Sequence, residues 1–219
     1  MPQIFTPKAN TWIRVLILAL PVLAVGVFAL GYGLTWSGYE TGVSQVKKQP
    51  IPFSHRHHVG ELGLDCRYCH ASVATSAFAD LPPAHTCMSC HSQIWNQAEM
   101  LAPLRESFRT GKPLAWVRVH DLPGFVYFHH GIHLAKGVGC TECHGRVDKM
   151  SLTFKTRSLY MKWCLDCHRD PGPHLRPPDE VFNPRWRPTG DPLLQGKKWM
   201  EYYRIAPARS LTDCVVCHR

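Results

Sequence analysis

The chain has 219 residues, and its 18 Pro and 16 Gly set among few long periodic runs exclude a large, regular helical or sheet domain. Its formal charge of +9 invites a polyanionic partner, yet no nucleic-acid-binding motif accompanies that charge. Ten Cys and fourteen His are the informative part of the composition.

Taken in order, residues 1–11 are short and polar, with Lys8. Residues 15–34 run without a charge, flanked by Trp12, Arg14 and Trp36. That length crosses a bilayer as a helix, and interfacial Trp suits both ends. The run exceeds the apolar region of a signal peptide, so it reads as a retained anchor, with Pro21 tolerated inside it. Lys8 and Arg14 ahead of the span place the N-terminus on the cytoplasmic side. Residues 1–36 are thus the expected anchor, and residues 37–52, with Gly38, Gly42, Lys47, Lys48 and Pro50, a tether.

From residue 53 onward a five-letter pattern, Cys-x-x-Cys-His, occurs five times: Cys66–His70, Cys87–His91, Cys140–His144, Cys164–His168 and Cys214–His218. C-x-x-C-H is the attachment signature of c-type haem. Positions i, i+3 and i+4 share a helix face, so two thiols and an imidazole meet one macrocycle together. The sulfurs of Cys66, Cys69, Cys87, Cys90, Cys140, Cys143, Cys164, Cys167, Cys214 and Cys217 would form the thioethers. His70, His91, His144, His168 and His218 would each take one axial position on iron. Five motifs consume all ten cysteines, and neither zinc sites nor disulfides require a His after every second Cys. The expected cofactors are therefore five covalently bound haem c groups, with no catalytic site. Five haems carry roughly −5 in total when oxidised, from about two propionates and a +1 core each, so the basic chain is largely their counter-charge.

An internal repeat divides this region. Phe53-Ser54-His55-x-x-His58 precedes the Cys66 and Cys87 motifs, and Phe128-His129-His130-x-x-His133 precedes those at Cys140 and Cys164. Two dihaem units result, residues 53–91 and 128–168. A Pro-rich arm follows at 169–213, with eight prolines and Trp186, Trp199, Tyr202 and Tyr203, and the fifth haem sits at 214–218. The arm cannot form its own core, so it is expected to wrap the head or dock on a partner. The fold class is a multihaem cytochrome c: short helices and coil packed around five haems, behind one N-terminal transmembrane helix.

Six-coordinate iron needs a second axial ligand, and neutral imidazole supplies it. Equivalence of the two repeats selects His55, His58, His130 and His133 as distal ligands. Haem-packed proteins of the cytochrome c3 type are similar; there the first such His caps the nearest following haem. By that likeness His55 caps the Cys66–Cys69 haem and His130 the Cys140–Cys143 haem. His120, in the extended run 116–120, is the fifth expected distal ligand, with Met100 as its main rival and Met150 and Met161 behind it. His57 and His129 lack counterparts in the other repeat, and His85 and His174 are expected outside the ligand set. Residues 92–110 read as helical, with Ile94, Trp95, Leu104 and Phe108 as packing residues and Pro103 opening a second short helix ended by Gly111.

The runs PIPFSH from residue 50, GELGLDCRYCH at 60–70, LPPAHTCMSCHSQIW at 81–95, the long run at 105–133, KGVGCTECHGRVDKM at 136–150 and KWCLDCHR at 162–169 resemble one family. This is the pentahaem cytochrome c subunit of bacterial alternative complex III, a quinol:electron-acceptor oxidoreductase. The resemblance singles out His55, His58, His120, His130 and His133. It implies an electron-transfer subunit of a membrane quinol-oxidising respiratory or photosynthetic complex. The implied partners are an iron–sulfur/molybdopterin-like subunit, polytopic quinol-binding membrane subunits, a monohaem cytochrome c subunit and a soluble periplasmic electron acceptor. The implied place is the bacterial cytoplasmic membrane, single-pass, with the haem domain, residues 53–219, on the periplasmic side. The alternatives are a membrane-anchored quinol dehydrogenase acting alone and a multihaem reductase. The latter needs a haem with a vacant position, such as C-x-x-C-Lys marks, and no such variant occurs.

Overall fold

The computed structural model describes residues 6–218. Residues 1–5 of the expected anchor lie outside the described residues. The chain divides into two units, one ending at Val43 and one beginning at Ser44.

The first unit is built on helix α1, Pro7–Trp36. The Thr6 hydroxyl accepts from Ala9 N at 3.3 Å and Pro7 occupies the first turn, so both N-terminal signals are used. Thirty residues at 1.5 Å rise give about 45 Å, and no residue of the helix is buried. An apolar helix with no buried face does not suit a soluble core; its length and composition fit a single-pass membrane anchor. A short helix α2, Gly38–Thr41, follows and ends on Gly42 in the left-handed region.

The second unit has helices and coil and, among the described residues, no strand beyond two isolated bridges, Val46 with Phe154 and Val138 with Leu175. The expected tether is divided by the structure. Residues 44–49 lie on the second unit: Ser44 N donates to Lys155 O at 2.8 Å and Lys47 Nζ to Arg118 O at 2.7 Å. The Gln49 amide donates to Val117 O at 2.8 Å and accepts from Val117 N at 2.9 Å, substituting for a neighbouring strand.

Each Cys motif lies on a helical turn: α3 Cys66–Cys69, α4 Ala84–His91, α7 Cys140–His144, α8 Met161–Arg169 and α11 Cys214–Cys217. Asp65 and Asp213 cap the first and last of these, accepting from Arg67 N and Val215 N. The polypeptide's own apolar core is small. Ile51, Leu101 and Leu104 pack with Met88, Leu114 and Trp116 and fix α4 to α5, Ala102–Thr110. Leu104 is only 2% exposed.

The helix expected over 92–110 is present only in its second half. Trp95 takes φ +55°, a left-handed residue that no helix interior accommodates, and the backbone turns until Glu99. Arg105 then donates to the carbonyls of Asn96 and Ala98 at 2.9 and 2.8 Å, fastening the turn back onto α5. Ile94, Trp95 and Phe108 are exposed, against the packing role expected of them; of the four residues, Leu104 is buried. Pro103 and left-handed Gly111 bound α5 as expected.

The Pro-rich arm returns over the motif helices. Arg176 N donates to Gly137 O at 2.9 Å, and the Tyr203 hydroxyl donates to Arg176 O at 2.7 Å. Lys136 Nζ donates to Tyr203 O at 2.8 Å. Helix α9, Pro192–Tyr202, meets the turn Gly172–His174 through Gly196 against Gly172, an approach at which a Cβ on Gly196 would sit 3.0 Å from the Gly172 backbone.

The turn Arg56–Glu61 carries His57 and His58 and opens at His55; it has π-helical hydrogen bonding. It packs on Val147–Lys149 so closely that a Cβ at Gly60 would overlap the carbonyl oxygen of Asp148. That carbonyl belongs to a residue 4% exposed, whose carboxylate is gripped by Arg146 at 2.7 and 2.6 Å. Neither side can yield cheaply. Gly60→Ala is expected to cost about 1–3 kcal/mol, the range for overpacking, and to displace His55 and His58 together. Thermal unfolding with the haem absorption spectrum checks both effects; an unchanged melting temperature and spectrum refute the contact.

Candidate haem-binding site

The two repeats place their residues alike. Phe53 stacks on His58 with ring centroids 4.4 Å apart and meets His55 edge-on at 4.9 Å. Phe128 stacks on His133 at 4.5 Å and meets His130 edge-on at 4.7 Å. One aromatic ring thus orients two imidazoles in each unit. His58 Nδ1 lies 2.9 Å from Ser54 O, and His133 Nδ1 lies 2.9 Å from His129 O, each four residues back. His130 Nδ1 lies 2.8 Å from Ala77 O, and His55 Nδ1 lies 2.9 Å from the Thr153 hydroxyl.

Motif histidines are held the same way. Nδ1 of His70, His91, His168 and His218 lies at 2.7, 3.1, 2.8 and 3.1 Å from the carbonyls of Asp80, Ile94, Leu211 and Phe125. A carbonyl can only accept, so each Nδ1 carries the proton and each Nε2 keeps its lone pair. This outer-nitrogen anchoring is how metal-ligating imidazoles are fixed.

Three ring pairs then face each other. Centroids are 6.2 Å apart for His58 and His91, 6.1 Å for His133 and His168, and 6.4 Å for His130 and His144, the last nearly parallel at 15°. Two imidazoles on opposite sides of one ion, each with a bond of about 2 Å, have centroids about 6 Å apart. His120 lies against His144 at 4.2 Å, and its Nε2 is buried without a hydrogen-bond partner, an orphan that a metal would satisfy.

Burial decides the charge state of this centre. Desolvation holds His55 and His120 down to about 4 and His144 to about 3, with neighbouring cations and imidazoles adding to the shift. For His55 those neighbours are His70, His58 and His120, and for His144 they are His120, His130, His70 and His55. Desolvation likewise lowers His133. Neutral imidazole is the form that binds metal, so burial keeps these rings ready for it.

Other histidines have different duties. His129 Nδ1 accepts from Ile132 N at 3.3 Å and caps helix α6, His130–Ala135, which fixes its proton on Nε2. His57 Nδ1 pairs with Glu61 at 2.9 Å and His174 Nδ1 with Glu142 at 3.1 Å. Met150 is buried, while Met100 and Met161 are exposed. The holding groups Thr153, Ala77, Asp80, Leu211 and Phe125 were not foreseen from sequence. Phe53 and Phe128 stood in each repeat as its first letter, a signal that could have been used.

All ten cysteines are free, and among the described residues no three His, Cys, Asp or Glu side chains converge on one point. The donors are spaced to bracket a planar group rather than to close on a bare ion. No family model matches the chain. It is similar to the multiheme cytochrome c subunit of menaquinone reductase from Nitratidesulfovibrio vulgaris (strain Hildenborough). The two are 29% identical over 208 residues, which cover 92% of this chain and 90% of that protein. The fold is that of a multihaem cytochrome c. Covalent haem c is the cofactor of this fold, and paired free cysteines on single helical turns, four of the five followed by an imidazole anchored through Nδ1, fit it.

The motifs lie close to one another in this cytochrome fold. The neighbouring Cys66 thiol and burial push Cys140 up. Cys69 is pushed up by burial and then by Cys87. Burial pushes Cys143 up to about 12, with Cys167, Glu142 and Cys164 adding to it, and it raises Cys164, with Cys217 adding.

Proposed function

We propose that the chain holds five covalent haem c groups and relays electrons as a subunit of a membrane quinol-oxidising complex of the alternative complex III type. The observation that carries this is the set of facing imidazole pairs at 6.1–6.4 Å, five of whose six rings have the outer nitrogen anchored on a backbone carbonyl. Haem c supplies one-electron chemistry at iron. The protein's share is positional. Ten sulfurs fix the rings, five motif histidines hold one face, and His55, His58, His120, His130 and His133 hold the other. His58 serves the iron of His91, His133 that of His168, and His130 that of His144. The motifs include no C-x-x-C-Lys variant of the kind that marks a haem with a vacant position, which favours a relay over a reductase.

Lys8 and Arg14 lie in the first turns of α1, ahead of its charge-free run 15–34, which favours a cytoplasmic N-terminus and a periplasmic haem domain. The partners are an iron–sulfur/molybdopterin-like subunit, polytopic quinol-binding subunits, a monohaem cytochrome c and a soluble periplasmic carrier. The name of the relative, a menaquinone reductase, favours a second reading in which electrons run towards the quinone through the same relay.

The test uses the full chain and its complex from membranes. The mass of the purified chain is expected to show five attached haems. Quinol is expected to reduce those haems in the complex and to leave the isolated chain oxidised. Fewer haems, or quinol oxidation by the isolated chain, overturns the proposal. Reduction of menaquinone by the pre-reduced complex, with no quinol oxidation, selects the second direction.

A further inference from the structure

The sequence numbers the Cys motifs from the N-terminus, but the fold does not line them up in that order. Four junctions can be traced from one motif to another. The first and second motifs meet where the Tyr68 hydroxyl and the Ser89 hydroxyl, both middle residues of a motif, lie 2.8 Å apart. The first and third meet at the consecutive carbonyls of Phe182 and Val181, at which the sulfurs of Cys66 and Cys140 point from 3.9 and 3.8 Å.

The third and fourth motifs share helix α6. His130 on this helix faces His144, and His133, three residues on, faces His168. Three residues of helix rise about 5 Å, so the two imidazoles start from adjacent points on one rod. The fourth and fifth are joined through the arm: His168 Nδ1 donates to Leu211 O at 2.8 Å, three residues before Cys214. The fifth motif is also held from upstream, since Tyr127 N donates to Cys217 O at 2.8 Å.

We propose that the five motifs form one unbranched line in the order second, first, third, fourth, fifth, so that the conducting ends are the Cys87–His91 and Cys214–His218 motifs and the third lies at the centre. Exposure agrees independently. The two exposed cysteines are Cys90 and Cys214, one in each end motif. The donor to the line meets one of these ends and the acceptor meets the other. This inference rests on the five-haem reading above.

The experiment is an experimental density map of the full chain with its haems, together with electron-exchange spectroscopy by NMR on two variants. The map is expected to give nearest iron neighbours in the order just stated. Five irons in another order, or a branch, overturn the line and leave the five-haem reading intact; fewer than five irons overturn that reading itself. In solution, Cys214→Ala with Cys217→Ala removes one end, and Cys87→Ala with Cys90→Ala removes the other. Each variant is expected to lose one haem by mass while the remaining four keep exchanging electrons among themselves. Separation of those four into two non-exchanging groups, in either variant, overturns the order.

Discussion

Replacing Arg176 with alanine is expected to cost about 3 kcal/mol and to loosen the arm from the head, seen as a lower melting temperature and as faster proteolysis within residues 177–213. Arg176 is 2% exposed. Its guanidinium donates to Glu142 at 2.9 Å, to the Thr141 hydroxyl and to Asn183 O at 3.1 Å, and it lies over the Trp186 ring at 5.0 Å. Breaking a buried pair by removing one partner costs about 3–5 kcal/mol, and Glu142, whose side chain is 27% exposed, puts this case at the lower end. Burial pushes the Glu142 carboxyl up, but the hydrogen bonds from His174 and Arg176 outweigh it and hold the group below its ordinary 4.5. A lowered carboxyl adds stability that is complete above its unfolded value and is lost as pH falls through its folded value. The gap between wild type and Arg176→Ala is therefore expected to narrow below about pH 4.5. An equal gap at pH 7 and pH 3 refutes the pairing.

Replacing His133 with alanine is expected to leave the haem at Cys164 and Cys167 covalently attached while its iron becomes high-spin. Thioethers hold the ring independently of the axial bond. His133 is positioned by Phe128 and by His129 O, and it faces His168 at 6.1 Å. Electron paramagnetic resonance of the oxidised full chain should show one haem's worth of high-spin signal, with unchanged mass apart from the substitution. His129→Ala is the control. It removes the ring that caps α6 and is expected to cost about 0.5–2 kcal/mol with no change of spin state. A low-spin spectrum in His133→Ala, or a high-spin one in His129→Ala, refutes the assignment.

Much of the haem site could be read from the sequence because its chemistry is written in side chains. Cys-x-x-Cys-His needs its five letters on one helical turn, and the turns form where Asp65 and Asp213 cap them. The repeat Phe-x-His-x-x-His separated His58 and His133 from His57 and His129, and the structure gives each member of these pairs its own hydrogen bonds. What could not be read was held by backbone. The carbonyls of Ala77, Asp80, Leu211 and Phe125 fix imidazoles from far along the chain, and a carbonyl carries no letter. The tether failed to predict its own docking for a related reason: Gln49 mimics a strand by side chain, which no β-periodicity announces. The first half of the stretch expected to be helical over 92–110 is instead turns, with α4 ending at His91 and Trp95 in the left-handed region.

The consecutive carbonyls of Val181 and Phe182 lie over the sulfurs of Cys140 and Cys66. Any ligation machinery that joins porphyrin to those two sulfurs must reach them while this stretch of arm is still lifted. On the proposed five-haem reading, attachment at Cys66 and Cys140 is therefore expected to precede closure of residues 181–182 over them, which makes this stretch of the arm a latch shut late in maturation.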